Sequence, residues 1–224
     1  MEKEREEEGI MNLRKTMLIG AVLLTVLAAA AYSLQGTFAR HTGGPRVLVA
    51  YFSHAGENYA VGRVEKGSTA ALAEMIAEET GGDLFEIKPK NDYPERLKDV
   101  LETARREQKE NARPELAENV RNLADYDVIF LGYPVWCSDM PMPVYTFLET
   151  NDFSGKTIIP FATALSDSLT GNENNIPDHA KGAKVLNGIG LEGKFVHDTP
   201  RLAAPMVSEW LENVGWKDVG KTVD

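Results

Sequence analysis

Apolar residues in this chain come in short unbroken runs, and amphipathic stretches separate the runs. Residues 47–52 and 128–133 are almost wholly apolar, as strands buried on both faces are. Residues 157–161 are a further run of this kind, residues 183–186 form a fifth strand, and residues 84–87 form a shorter, alternating strand. The stretches between them carry helical spacing. Residues 68–80 place Leu72, Met75 and Ile76 on one face, with Ser68 or Thr69 as N-cap and Gly81-Gly82 as the stop. Residues 94–111 form a long, highly charged helix of which only one side meets a sheet. Pro141 opens a helix over 141–150, where Pro143, Val144, Phe147 and Leu148 recur at helical spacing. A short helix is expected within 175–181. The last helix, 200–214, is expected to turn Leu202, Met206, Trp210 and Leu211 inward. Five strands alternating with helices predict an α/β fold with a parallel sheet covered on both faces. The one long irregular stretch inside it, 54–67, follows the first strand, and loops of that length are functional or mobile.

Residues 17–32 break this rhythm. They are apolar apart from Gly20 and Thr25, and Arg14-Lys15 precede them. That is the pattern of an export signal. The Glu-rich residues 2–8 are foreign to such a signal, whereas a start at Met11 would leave a purely basic lead. Cleavage after Ala31 or Ala39 would release the domain. Without cleavage the uncharged run 16–39 is long enough to anchor it in a membrane, with Arg14 and Lys15 inside and the domain outside the cytoplasm. The expected organisation is therefore a signal peptide or membrane anchor over 1–39, a linker over 40–45, a folded domain over 46–216 and a C-terminal tail over 217–224. No twin-arginine pair precedes the apolar run.

The formal net charge of -10 argues against nucleic acid as a partner, which needs a basic stripe. Cys137 is the single cysteine, so no disulfide closes within the chain. The four histidines, His41, His54, His179 and His197, lack ligand spacing, so no metal site is expected.

Candidate chemistry gathers at the ends of three strands. In open α/β sheets ligands sit outside the carboxyl ends of the strands. After the first strand come Ser53-His54-Ala55-Gly56, and the long loop then delivers Gly67-Ser68-Thr69 to a helix start. Free N–H groups and a partial positive charge suit a phosphate there, as an ordinary Ser/Thr cap also would be accounted for. After the third strand, Tyr133 and Trp136 put two rings near a rim that a planar cofactor could cover, or that the rings could simply pack upon. After the fourth strand, Thr163, Ser166 and Asp167 lie in a small, polar loop, either ligand-facing or ordinary turn chemistry.

Residues 46–216 resemble the flavodoxin family. The likeness rests on VLVAYFS at 47–53, GGDLFEI at 81–87, YDVIFLGYPVW at 126–136 and FSGKTIIPF at 153–161, in that order. It implies a three-layer sandwich with a five-stranded parallel sheet of order 2-1-3-4-5, holding one FMN non-covalently. By that resemblance Ser53, Ala55, Gly67, Ser68 and Thr69 would meet the phosphate, with the long loop inserted into the phosphate site. Pro134, Val135, Trp136 and Cys137 would lie along the isoalloxazine ring, and Thr163, Ser166 and Asp167 along its other edge. The chain departs from the family where Ala55 replaces a hydroxyl, where Cys137 replaces a second aromatic, where Ser138 replaces Gly, and at Ala164-Leu165. The implied function is electron transfer to a redox partner protein or a small-molecule acceptor. The alternatives are an FMN-dependent NAD(P)H:quinone-type reductase, with Tyr59, Arg63 and Lys66 walling its pocket, and a flavin-free binding module. A redox role for the Cys137 thiol stands beside plain packing.

Overall fold

The computed structural model describes residues 44–166, 169 and 171–219; the apolar segment expected as signal or anchor, Asp167 and the end of the tail lie outside the described residues. In chain order the elements are β1 (Val47–Tyr51), β2 (Gly56–Asn58), β3 (Gly62–Val64), α1 (Ser68–Thr80), β4 (Asp83–Glu86), α2 (Leu97–Glu110), β5 (Val128–Pro134), α3 (Met142–Thr150), β6 (Thr157–Ala164), α4 (Ile176–His179), β7 (Lys184–Val185), β8 (Ile189–Glu192), α5 (Gly193–Asp198) and α6 (Pro200–Val214).

The main sheet is parallel and runs β4-β1-β5-β6, with β7 and β8 both on the outer side of β6. This is the expected 2-1-3-4-5 order with the fifth strand in two pieces. The register explains the break. Ile158 stands opposite Val185 but Phe161 stands opposite Ile189, so one residue of the fifth strand is extra, a bulge. On this edge the Lys156 and Ile158 carbonyls accept the Lys184 and Leu186 N–H groups. The next donor on the same edge would be residue 160, and Pro160 has no N–H. Gly188 fills the gap: a Cβ there would lie 2.2 Å from the Pro160 carbonyl oxygen. The run at 183–186 is therefore only the first half of the strand, and the Gly-containing second half escapes the pattern. The stretch 54–67 is also not irregular throughout. It folds into the antiparallel β2–β3 hairpin.

Two buried layers sandwich the sheet. Val47, Val49, Phe130 and Phe161 pack under α1 and α6 on one face. Leu48, Ile129, Leu131 and Tyr133 pack under α2 and α3 on the other. The last helix sits one position away from its expected face. Ala203, Val207 and Leu211 are buried, Trp210 is partly buried, and Leu202 and Met206 are 62% and 40% exposed. Two apolar stripes adjoin on α6. Hydropathy ranks the bulky one first, but Ala203 and Val207 let the helix come closer to the sheet, and close packing decides.

Gly132 governs the middle of the sheet. It stands opposite Phe161, and a Cβ on it would lie 2.1 Å from the Phe161 ring. The ring is fully buried and has nowhere to go. Away from the sheet, Arg113 grips Glu149 of α3 with Nε and Nη2 at 2.6 and 2.8 Å, and His179 Nδ1 lies 2.7 Å from the same carboxylate. The Arg113 hydrogen bond holds the Glu149 carboxyl down at about 2 from its ordinary 4.5.

Two outcomes are expected. Gly132→Ala overfills the sheet and lowers stability by about 2–3 kcal/mol, with partial recovery in the double variant with Phe161→Leu, measured by urea unfolding. Glu149, with its pKa depressed on folding, contributes stability that is fully present above about 4.5 and is lost as pH falls through about 2. Unfolding curves across that window should be less pH-dependent in Glu149→Gln than in the parent chain.

Candidate functional site

The carboxyl ends of β1, β5 and β6 open into a cavity of about 410 Å³, within the usual size for a small-molecule site. Its base is the junction of β1 with α1. Gly67 is the N-cap of α1 and supplies no side-chain cap. It cannot carry one, since a Cβ would lie 2.4 Å from both the Ser53 Oγ and the His54 carbonyl oxygen. Ser53 Oγ accepts the Ala70 N–H at 3.1 Å, and the Ala71 N–H returns to the Gly67 carbonyl. Ser68 and Thr69, the first residues of α1, form the cavity wall. A helix start with close backbone approach and no side chain at its N-cap, where Ser53 takes the Ala70 N–H and the Ser68 and Thr69 N–H groups stand ahead of it, is a receptacle for an anion.

The base is tied to the opposite loop. The Thr69 and Thr163 hydroxyls share a hydrogen bond of 2.7 Å, and both are buried. The Thr163 carbonyl accepts the Val135 N–H at 2.9 Å. Helix start, β5 loop and β6 loop are thereby held at fixed spacing. Beyond Val135 the chain reverses: the Trp136 N–H donates to the Asp139 carbonyl and the Asp139 N–H to the Trp136 carbonyl, with Cys137 and Ser138 at the tip.

Of the residues singled out from sequence, Ser53, Gly67, Ser68 and Thr69 line this cavity at its base. Pro134, Val135, Trp136 and Cys137 line its β5 side, and Thr163 and Ser166 its β6 side. Ala55 is exposed and lies instead on a neighbouring cleft of about 730 Å³. Asp167 is outside the described residues. Tyr133 does not reach the loop at all. It is the sixth residue of β5, fully buried, and its hydroxyl donates to Asn172 Oδ1 at 2.9 Å. Trp136 touches the cavity but is largely buried, packed edge-on against Phe52, His54 and Tyr93 at 5.3, 5.7 and 5.1 Å. Its ring is a wall fixed by the core rather than a free plate. The Cys137 thiol is partly buried, 3.9 Å from the Leu101 carbonyl oxygen. Of the three residues expected to wall a pocket, Tyr59 does so. Arg63 pairs with Glu95, and Lys66 pairs with Glu74.

His54, which the sequence places in the candidate stretch after the first strand without a contact of its own, lines the cavity, as do Leu97, Leu101 and Arg105 of α2, which sequence reasoning passed over. His54 stood directly after the first strand, a position that could have flagged it. Its Nε2 is buried without a hydrogen-bond partner among the described residues, and burial lowers its pKa, so the ring is neutral at pH 7. The three α2 residues carry no local signal, because only the packing of α2 beside β5 brings them to the site. No carboxylate lines the cavity among the described residues, and Arg105 is the one charged group.

Comparison with known proteins accords with this architecture. Residues 46–214 match the family model of flavodoxin. A candidate flavoprotein from Bacteroides uniformis ATCC 8492 is 31% identical, over 75% of this chain and 99% of that one, with a TM-score of 0.60. Another from Bacteroides eggerthii DSM 20697 is 26% identical, over 76% and 98%, with a TM-score of 0.61. A flavoprotein from Lactobacillus acidophilus NCFM, solved in complex with FMN, is similar in fold at 21% identity, over 68% and 97%, with a TM-score of 0.52. Among curated proteins nothing matches. With the family model spanning the sheet and every loop of the cavity, the chain belongs to the flavodoxin family.

Proposed function

We propose that this protein binds one FMN in the cavity and transfers electrons through it, to a redox partner protein or a small-molecule acceptor. The observation that carries the reading is the cradle at Gly67. A backbone position with no room for a Cβ, at a helix start whose N-cap carries no side chain, facing the loops of β5 and β6 across one cavity, fits a phosphate joined to a flat ring. Bound FMN supplies the redox chemistry. The chain's own residues bind, orient and exclude water. Gly67, Ser68, Thr69 and Ser53 would hold the phosphate end. Pro134, Val135, Trp136 and Cys137 would flank the ring on one side, and Thr163 and Ser166 on the other. Asp167 belongs to the same proposal. Ala55, turned to the adjacent cleft, contributes to the loop but not to the contact surface.

The β5 turn adds support. Cys137 and Ser138 have φ of 51° and 66°, left-handed values that cost a side-chain-bearing residue roughly 1–2 kcal/mol each. Such strain concentrates where a backbone must be held in one shape for a ligand. The exported location expected from residues 17–32 is part of this proposal, with the domain outside the cytoplasm and released or anchored. A reductase reading is favoured by one feature: the lining of the cavity extends past the three loops to Tyr59 and Val61 at the hairpin and to Leu97, Leu101 and Arg105 of α2.

The visible absorption spectrum of the purified protein, before and after FMN addition and desalting, tests the reading. A retained flavin spectrum is expected, and a colourless protein after reconstitution would refute it. Gly67→Ala should raise the FMN dissociation constant about tenfold, since the displaced helix start forfeits charge-assisted hydrogen bonds. Ser138→Gly should relieve the turn and stabilise the protein by about 0.5–1 kcal/mol, a rise of about 2–3 °C in a thermal melt.

A further inference from the structure

The part of the cavity between the hairpin and α2 has its own chemistry. Tyr59 and Val61 contribute one wall, Leu97 and Leu101 the other, and Leu165 stands with them at the opening. Tyr59 is 61% and Leu165 67% exposed. Apolar side chains of this size, exposed together beside one cavity, mark a binding surface rather than scattered surface apolarity. Leu97, Leu101 and Arg105 follow one another at four-residue spacing, so they run along a single face of α2. The aliphatic stripe therefore ends in a guanidinium. Arg105 has no ion-pair partner among the described residues, whereas Arg63, Lys66 and Lys98 each hold a carboxylate. Arg105 is the one charged residue among the described lining of the cavity, and this sets it apart from the other cations of the chain.

We propose that this cleft binds a small planar aromatic anion, its ring between the Tyr59–Val61 and Leu97–Leu101 walls and its carboxylate or sulfonate on Arg105. The inference rests on the reading that FMN takes the loop side of the same cavity. Burial of the ring supplies most of the affinity and is common to charged and neutral compounds. Arg105 supplies the preference. An ion pair at a solvent-exposed guanidinium is worth about fivefold in affinity at its upper end and is screened by salt.

Calorimetric titration of the purified protein with naphthoate and with its neutral analogue naphthamide tests this, with and without added FMN. Naphthoate should bind about fivefold more tightly than naphthamide at low salt. Arg105→Gln should abolish that preference while leaving naphthamide affinity unchanged. Leu101→Gln should weaken both probes alike. Equal affinity of the two probes for the parent protein, a preference that survives in Arg105→Gln, or no binding of either would overturn the proposal. The visible spectrum of the same samples reports flavin retention separately. A protein that holds FMN but shows no preference refutes this inference alone, and one that shows the preference but holds no FMN refutes the flavin reading alone.

Discussion

The close approach of β5 and β6 at Gly132 is the constraint on which the site depends. The two strands pair along seven residues, the longest ladder in the sheet, and their last pair joins Pro134 to Thr163. Phe161 fills the position where a side chain on Gly132 would be. With no Cβ to push the ring aside, the strands stay in register up to their ends, and both loops leave the sheet at the same level. Each later link needs that level. Val135 reaches the Thr163 carbonyl, Thr163 reaches Thr69, and the start of α1 is thereby set against both loops.

A second constraint acts at the base. Gly67 lets the start of α1 approach the chain leaving β1 to a distance no other residue would permit. The result is a helix end with no side chain at its N-cap, facing a cavity with no carboxylate among its described lining residues. The acidity of the protein as a whole is thus kept off this surface. The net charge describes the exterior, and the field inside the cavity is set by a helix terminus, neutral hydroxyls and one guanidinium.

The rings near the site belong to the fold first. Tyr133 anchors the far side of the sheet through Asn172, and Trp136 is held by Phe52, Tyr93 and His54. A ring clamped on its edges by the core presents the same surface whether or not a ligand is present. That suits a site that must orient a planar group without rearranging. His54 completes the clamp at the cost of a buried ring nitrogen without a partner among the described residues.

Local pattern determined much of this protein. Unbroken apolar runs at 47–52, 128–133 and 157–161 specify strands buried on two faces, because a parallel sheet covered by helices leaves no polar side. Ser53, Gly67, Ser68, Thr69 and Thr163 were legible because they sit at strand ends and a helix start, whose chemistry is a property of a few adjacent residues. Tertiary structure decided the rest. The fifth strand divides because Pro160, on its neighbour, lacks a donor. The last helix docks by Ala203 and Val207, not by Leu202 and Met206, because proximity to the sheet outweighs side-chain hydropathy. The hairpin within 54–67 pairs Gly56 with Val64 without the apolar alternation of a core strand. Leu97, Leu101 and Arg105 reach the cavity only because α2 packs beside β5. Short-range periodicity encodes which face of an element is apolar; which elements meet, and which side chains they bring to one opening, is encoded by shape complementarity between segments distant in the chain.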